Sequence, residues 1–425
     1  MDSSPGEIQK LTDHLFRHEA GKMVAVLTSL FGLHNIELAE DVVQEAFANA
    51  LKDWTYRIPE NPAAWLMTTA KNKAVDVVRR QRYQKVFAKE VSTLLKSEYT
   101  TAAIINQLFL DHEIQDSQLR MIFACCHPQL AEADQLALTL KTCSGFSTHE
   151  IASALLTNHE HIKKRLQRAK LFIVEHQLQF DIPSGDELKQ RQDSVMKVLY
   201  PLFNEGYNSS SNSELIRKDL CEEAMRLCLL ITQHAYTKSL KAHALMALMT
   251  LLVARFDSRL DAQGEIILLH EQDRTKWNKE LIAIGLNYLS QSSEGNDVSE
   301  YHLQAAIFAE HIIALDFEAT NWKHILVLYD SLLQLNPSPI VRLNREIVFA
   351  KLNGPQAAIE NILAIENINH HIETNYIFAA ALADLYSGEK DKAAHYLHLA
   401  LSITKNEVEK RLLRKKIDLL ANSTN

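Results

Sequence analysis

Glycine and proline are scarce in this 425-residue chain, with 11 and 9 of them, and that scarcity argues against a turn-rich sheet protein. Leucine, alanine, isoleucine, lysine and glutamate dominate instead, all of them compatible with helix. Cysteine is also rare. The five present (Cys125, Cys126, Cys143, Cys221, Cys228) are odd in number and lack a framework spacing, which excludes a disulfide scaffold and points to reduced thiols. Cys125 and Cys126 precede His127, but adjacent cysteines point about 100° apart on a helix and no second ligand pair follows, so neither a metal nor a cofactor is expected. No uninterrupted apolar run reaches about 18 residues, and the first residues lack the basic-then-apolar order of a leader, so a cytoplasmic protein is expected. With 47% hydrophobic and 23% charged residues, the composition is that of a soluble all-α protein of two to four domains.

The formal net charge of -8 disfavours nucleic acid until it is divided along the chain. Residues 1–180 hold 20 basic and 21 acidic side chains, whereas the remainder holds 25 and 32. The acid therefore lies mainly in the second part. Across residues 71–89, Lys71, Lys73, Arg79, Arg80, Arg82, Lys85 and Lys89 face only Asp76, a local charge of +6. Local fields of this kind govern attraction to phosphate more than net charge does.

Apolar residues recur at helical spacing over residues 14–56, with a break at Phe31-Gly32-Leu33, which predicts two packed helices. A third helix starts sharply, because Asn61 can cap it and Pro62 can fill its first position. Its pattern carries it to about Lys89, burying Trp65, Leu66, Ala70, Ala74 and Val77 or Val78. Residues 90–116 are aperiodic and end in an acidic run, Asp111 to Asp116; they read as a linker. A second helical unit covers residues 117–180, and Asp181-Ile182-Pro183-Ser184-Gly185 marks the next boundary. Toward the end, Asn321, Gly354 and Gly388 stand 33 and 34 residues apart as helix enders. A period near 34 with two helices per unit is similar to tetratricopeptide repeats, from about residue 321.

Within residues 146–170 the local signals are sharper. Ser147-Thr148-His149-Glu150 reads as a capping box opening a short helix, and Thr157-Asn158-His159-Glu160 as another opening the next. Two capped helices joined by a tight turn make a helix-turn-helix, with Ile151, Leu155, Ile162 and Leu166 as its core and Ala152 allowing close approach. The second helix offers His159, Glu160, His161, Lys163, Lys164, Arg165, Arg168 and Lys170. Early positions suit base edges in the major groove, and the later basic ones suit phosphate. Leu156 sits where a turn-compatible residue is more usual.

Nothing in the chain carries the marks of an enzyme. Asn204-Glu205-Gly206-Tyr207 opens a polar loop, but no nucleophile with a base, phosphate loop or ligand-spaced histidines accompanies it. His14 and His18 have helical spacing without the glutamate of a zinc-protease motif.

Taken together, Ala39 to Phe47, Asn61-Pro62-Ala63-Ala64-Trp65-Leu66, Asp76-Val77-Val78-Arg79-Arg80 and the helix-turn-helix resemble the bacterial extracytoplasmic-function sigma factors of the sigma-70 family. Cys125-Cys126-His127-Pro128, Leu202 to Tyr207 and Leu269 to Arg274 look like the subgroup with a long tetratricopeptide-like C-terminal extension. The resemblance implies an all-α chain divided into region 2 at residues 1–89, a linker at 90–116, region 4 at 117–180 and a helical regulatory domain at 181–425. It further implies that Asp41, Gln44, Glu45 and Phe47 dock core RNA polymerase, whose β′ and β subunits are the expected partners. Lys71, Lys73, Arg79, Arg80 and Arg82 would then hold the minus-ten element of promoter DNA, and the helix from His159 to Lys170 the minus-thirty-five element. No membrane partner is expected, and the C-terminal domain offers a surface for a protein or small-molecule effector. The alternative is a helix-turn-helix regulator that senses a ligand or protein through its helical domain and acts without polymerase.

Overall fold

A computed structural model describes residues 5–81, 105–209, 214–295 and 297–422. Among these the protein is all-α, and the extended backbone amounts to one isolated bridge between Leu260 and Ile266. The chain divides into two compact units, Met1–Leu199 and Tyr200–Asn425.

The first unit begins with α1 (Pro5–Phe31) and α2 (Ile36–Asp53). Gly32 separates them at φ 87°, a left-handed conformation that side chains with a Cβ resist. Val42, Val43, Ala46, Phe47 and Ala50 of α2 turn inward where α2 packs on α1, whose Val24, Leu27 and Leu30 are buried as well. The third helix, α3 (Pro62–Gln81), starts as its sequence dictates: the Asn61 side chain accepts the Ala64 amide at 3.0 Å. Leu66, Ala70, Ala74 and Val78 recur every four residues and are fully buried, so α3 presents a narrow seam of mostly small residues. Its expected continuation to Lys89 lies outside the described residues.

Next comes α4 (Asp111–Cys125), so the acidic run expected at the end of a linker forms the first turns of a helix. Asp111 and Glu113 suit that position, where the unpaired amides carry partial positive charge. Then follow α5 (Glu132–Thr142), α6 (Thr148–Ala154), α7 (His159–Glu175) and α8 (Gly185–Tyr207). The helices α4 and α5 pack directly on α1. A Cβ on Gly21 of α1 would overlap the Cys143 carbonyl, and Ser29 meets Ser117 at 2.8 Å. Thus α1 to α7 share one continuous body.

In the second unit, α9 (Lys218–Gln233) leads into α10 (Leu240–Val253), which is buried on nearly every face by its neighbours α11 (Lys279–Ser292) and α12 (Glu300–Ile313). There follow α13 (Trp322–Leu335), α14 (Pro339–Asn353), α15 (Pro355–Leu363), α16 (Ile368–Thr374), α17 (Tyr376–Leu385), α18 (Lys390–Ile403) and α19 (Glu407–Asn422); neighbours in the chain pack on each other except at α15, which packs on α14 and α17 rather than on α16. Gly354 separates α14 from α15 at φ 85°, whereas Asn321 caps the start of α13 rather than ending a helix. At the head of α19, Asn406 donates to the carbonyls of Ser209 (3.4 Å) and Glu214 (3.2 Å), and Arg411 pairs with Glu265. The last helix is therefore fastened to the first loop of its own unit.

Asn204-Glu205-Gly206-Tyr207 closes α8 instead of forming an open loop. A Cβ on Gly206 would come within 2.7 Å of the Cys221 amide nitrogen, so this glycine admits the close approach of α9. Ser209 donates to Glu205 at 3.1 Å, and the Arg259 guanidinium lies 3.8 Å over the Tyr207 ring. These contacts are structural.

Candidate nucleic-acid interface

On α2, Asp41, Gln44 and Glu45 are exposed along one face, but Phe47 is not among them. It is 4% exposed and meets Phe16 edge-to-face at 4.8 Å, so this member of the expected docking stripe belongs to the core. The reason is its register. Phe47 follows the buried Val43 by four residues, whereas Asp41, Gln44 and Glu45 follow the outward face.

Lys71 and Lys73 of α3 are half-buried, and Arg79 and Arg80 are exposed. Arg82 lies outside the described residues. Lys73 forms an ion pair with Glu45, so one residue expected on DNA and one expected on polymerase face each other across the α2–α3 seam. Trp65 is half-buried and packs edge-to-face on the buried Trp54 at 5.6 Å, which leaves it as a support more than a platform.

The segment expected to form a helix-turn-helix consists of α6 and α7 joined by a short turn. Ser147 and Glu150 complete the first capping box reciprocally, at 3.2 and 2.8 Å. The second box is displaced: Asn158, not Thr157, caps α7 by accepting the His161 amide at 2.8 Å. Thr157 instead donates its amide back to Ala152, closing the turn, and Leu156 at the tip adopts φ 45° with 58% exposure. Ile151, Ile162 and Leu166 fill the hairpin core, with Leu155 half-buried.

Along α7 the polar residues separate into two groups. The His159 imidazole bonds Thr148 at 2.7 Å and stacks on His149 at 3.9 Å, so it fastens the two helices together; His149 was not evident from spacing alone. Glu160 accepts from Lys163 at 3.1 Å, a bond that depresses its carboxyl pKa. His161, Lys163 and Lys164 are exposed, and Arg165 is half-buried. Arg168 makes a bidentate pair with the buried Asp134 of α5, at 2.7 and 3.1 Å. Lys170 reaches back to α2, 2.8 Å from Glu40 and 3.4 Å from Glu37. Burial opposes the charge on Lys170, but the two carboxylates outweigh it and its pKa is raised. Arg168 and Lys170 are thus engaged inside the unit.

On the opposite side of the hairpin, Arg17 of α1 pairs with Glu150 and lies 3.5 Å over the buried Phe146 ring. Burial raises the Glu150 pKa, but its bonds to Ser147 and the Arg17 charge prevail, and the net shift is downward.

Residues 15–83, most of α1 with all of α2 and α3, match the model of sigma-70 region 2. This N-terminal match supports a sigma-70 family factor. Sigma-70 proteins are transcription factors rather than enzymes, and region 2 is their core polymerase-binding region, implying contact with promoter DNA. Residues 191–293 match a family of unknown function (DUF6596). The chain is also 32% identical over 389 residues to an uncharacterized protein of Rhizobium meliloti (strain 1021), covering 91% of each. No solved structure matches. The exposed Asp41, Gln44 and Glu45, and the basic end of α3, lie within the region 2 match. The α6–α7 hairpin lies outside both family matches. Among the described residues, no helix is long and apolar enough to cross a membrane, and no histidine, cysteine and carboxylate group is placed to hold a metal.

Proposed function

We propose that the protein is an alternative sigma factor of the extracytoplasmic-function type, acting in the cytoplasm, with a tetratricopeptide-like C-terminal domain that modulates it in cis. The observation carrying this reading is the coincidence, on one region 2 fold, of an exposed acidic face and a basic helix end, followed by a capped helix-turn-helix. Asp41, Gln44 and Glu45 dock the β′ subunit of core polymerase, and the β subunit completes the partner surface. Lys71, Lys73, Arg79, Arg80 and Arg82 hold the backbone of the minus-ten element and the displaced strand. His161, Lys163, Lys164 and Arg165 meet the minus-thirty-five duplex, with Glu160 beside them and His159 setting the angle of α7. Arg168 keeps an exposed flank for phosphate while bonded to Asp134. The protein contributes binding energy, and bond-making chemistry belongs to the polymerase.

The test is reconstitution. Purified protein added to bacterial core polymerase directs promoter-specific transcripts from fragmented genomic template, and a variant with Asp41, Gln44 and Glu45 changed to alanine does not. Absence of any specific transcript with the wild-type protein would refute the reading. Removal of the residues after 180 then separates restraint by the C-terminal domain, which raises transcription, from requirement, which abolishes it.

A further inference from the structure

We infer that the second unit binds a phosphate group, free or carried on a small molecule, at Arg255 and Arg274, whose guanidiniums both lie over the Trp277 ring. Binding needs the chain alone, so this site stands or falls independently of the sigma-factor reading.

Arg255 follows Ala254, the C-cap of α10, and is only 6% exposed. A guanidinium so deeply buried is normally held by a carboxylate. Among the described residues Arg255 has no such partner. Its side chain makes one hydrogen bond, from Nε to the Gln272 side-chain oxygen at 3.2 Å, which leaves both terminal nitrogens unused. The rings of Trp277 and Phe308 stand 5.7 and 5.9 Å from it. Arg274 lies 4.7 Å over the same Trp277 ring. Its Nη1 donates to the carbonyls of His311 and Ala314, both at 2.6 Å, while its Nη2 is buried without a partner. The Nδ1 of His311 is likewise buried and unbonded. Asp316 attracts Arg274, yet among the described residues it forms no ion pair with it; it is exposed and accepts the Ala319 amide at 2.7 Å.

Helix ends offset part of this charge. Arg255 stands at the end of α10 and Arg274 on the last carbonyls of α12, and each end carries about half a negative charge. Two guanidiniums against two such ends leave an excess of about one positive charge. Burial, then the charges of Arg255 and Arg274, already hold His311 neutral, so the site rejects a further cation. An anion removes the excess and employs the idle donors. The unused groups of both arginines are N–H donors, and His311 Nδ1 becomes one in the matching tautomer. Donors on separate residues favour phosphate over a carboxylate: even as an ester it presents about three strong acceptor oxygens, and guanidinium engages them in pairs. Arg274 is the approach, being partly exposed on the short surface turn Arg274–Lys276.

The test uses the full chain without polymerase. Titration calorimetry and thermal unfolding are followed with inorganic phosphate, and separately with adenosine monophosphate, at constant ionic strength set by chloride. Wild type is expected to bind with a dissociation constant of about 1 mM or less, and to unfold at a temperature that climbs with ligand concentration. Tighter binding of the ester assigns a phosphorylated small molecule, tighter binding of inorganic phosphate the free anion, and either supports the site. Arg255→Gln is expected to weaken binding by about tenfold or more, since charge-assisted hydrogen bonds are lost. In ligand-free buffer it should unfold no earlier than wild type, because a buried charge without a partner is removed. If Arg255→Gln does not fold, Arg274→Gln makes the same measurement from the more exposed side. Arg345→Gln, which gives up ion pairs to Asp330 and Glu346, should keep wild-type affinity; a matching loss there would reduce the effect to general charge and overturn the inference. It is overturned equally by unchanged affinity in Arg255→Gln, or by absence of binding of either ligand up to about 10 mM.

Discussion

Lys73 and Glu45 neutralise each other across the seam between α3 and α2. Their side chains are 30% and 54% exposed, so the pair contributes little to stability, on the order of 0.2–1 kcal/mol. Its importance is to binding. Lys73→Gln should leave the urea midpoint of unfolding nearly unchanged. It should also reduce the salt dependence of single-stranded promoter binding by roughly 0.7 in the log–log slope, as one phosphate contact is lost. An unchanged slope would remove Lys73 from the DNA-facing set.

Leu156 has a left-handed backbone and a largely exposed side chain. A non-glycine residue is held there at a penalty of roughly 1–2 kcal/mol, and the leucine recovers little of it by burial. Leu156→Asn is expected to raise stability by about 0.5–1 kcal/mol in urea denaturation, because asparagine tolerates this region. A destabilised variant would mean that the leucine makes contacts its exposure does not suggest.

Acid should loosen the second unit through His311. Burial, then the charges of Arg255 and Arg274, pull its imidazole pKa down to about 4. The folded state keeps this group neutral while an unfolded chain, with a pKa near 6.5, takes up a proton. Stability is therefore full above about pH 6.5 and declines as pH falls toward 4, by about 3 kcal/mol at the lower end. Denaturation of wild type and His311→Gln at several pH values should show a flatter dependence in the variant. Parallel curves would count against His311 as the source.

Gly206→Ala is expected to destabilise the protein by about 1–3 kcal/mol, since the added methyl meets the backbone of Arg217 and Cys221 at 2.8 and 2.7 Å. Glu205→Gln, which keeps the bond from Ser209, should be close to neutral. Equal effects of the two changes would argue that the segment does more than pack.

Local signals were legible where local chemistry decides the outcome. Asn61 and Pro62 announced the start of α3, Gly32 the end of α1, and Ser147 with Glu150 the capping box. The shift from Thr157 to Asn158 was not legible, because both residues can cap and the choice depends on Thr157 bonding back to Ala152. At the site, the exposure of Asp41, Gln44 and Glu45 followed from helical register, and the same register buries Phe47. What the basic residues of α7 bind is tertiary information. Asp134 is 34 residues from Arg168, and Glu40 is 130 from Lys170, and no spacing along α7 records them. Asn321 caps the start of α13 instead of ending a helix, since asparagine serves either end.

The bonds from Asn406 to the first loop of the second unit bear on how that unit comes apart. An open array of repeats loses stability by increments as end units are cut away, because each repeat answers only to its neighbours. Here the final helix also answers to residues 192 and 197 positions upstream. Successive C-terminal deletions should therefore cost disproportionately at the cuts that remove Arg411 and then Asn406, beyond what the packing of α19 on its neighbour accounts for.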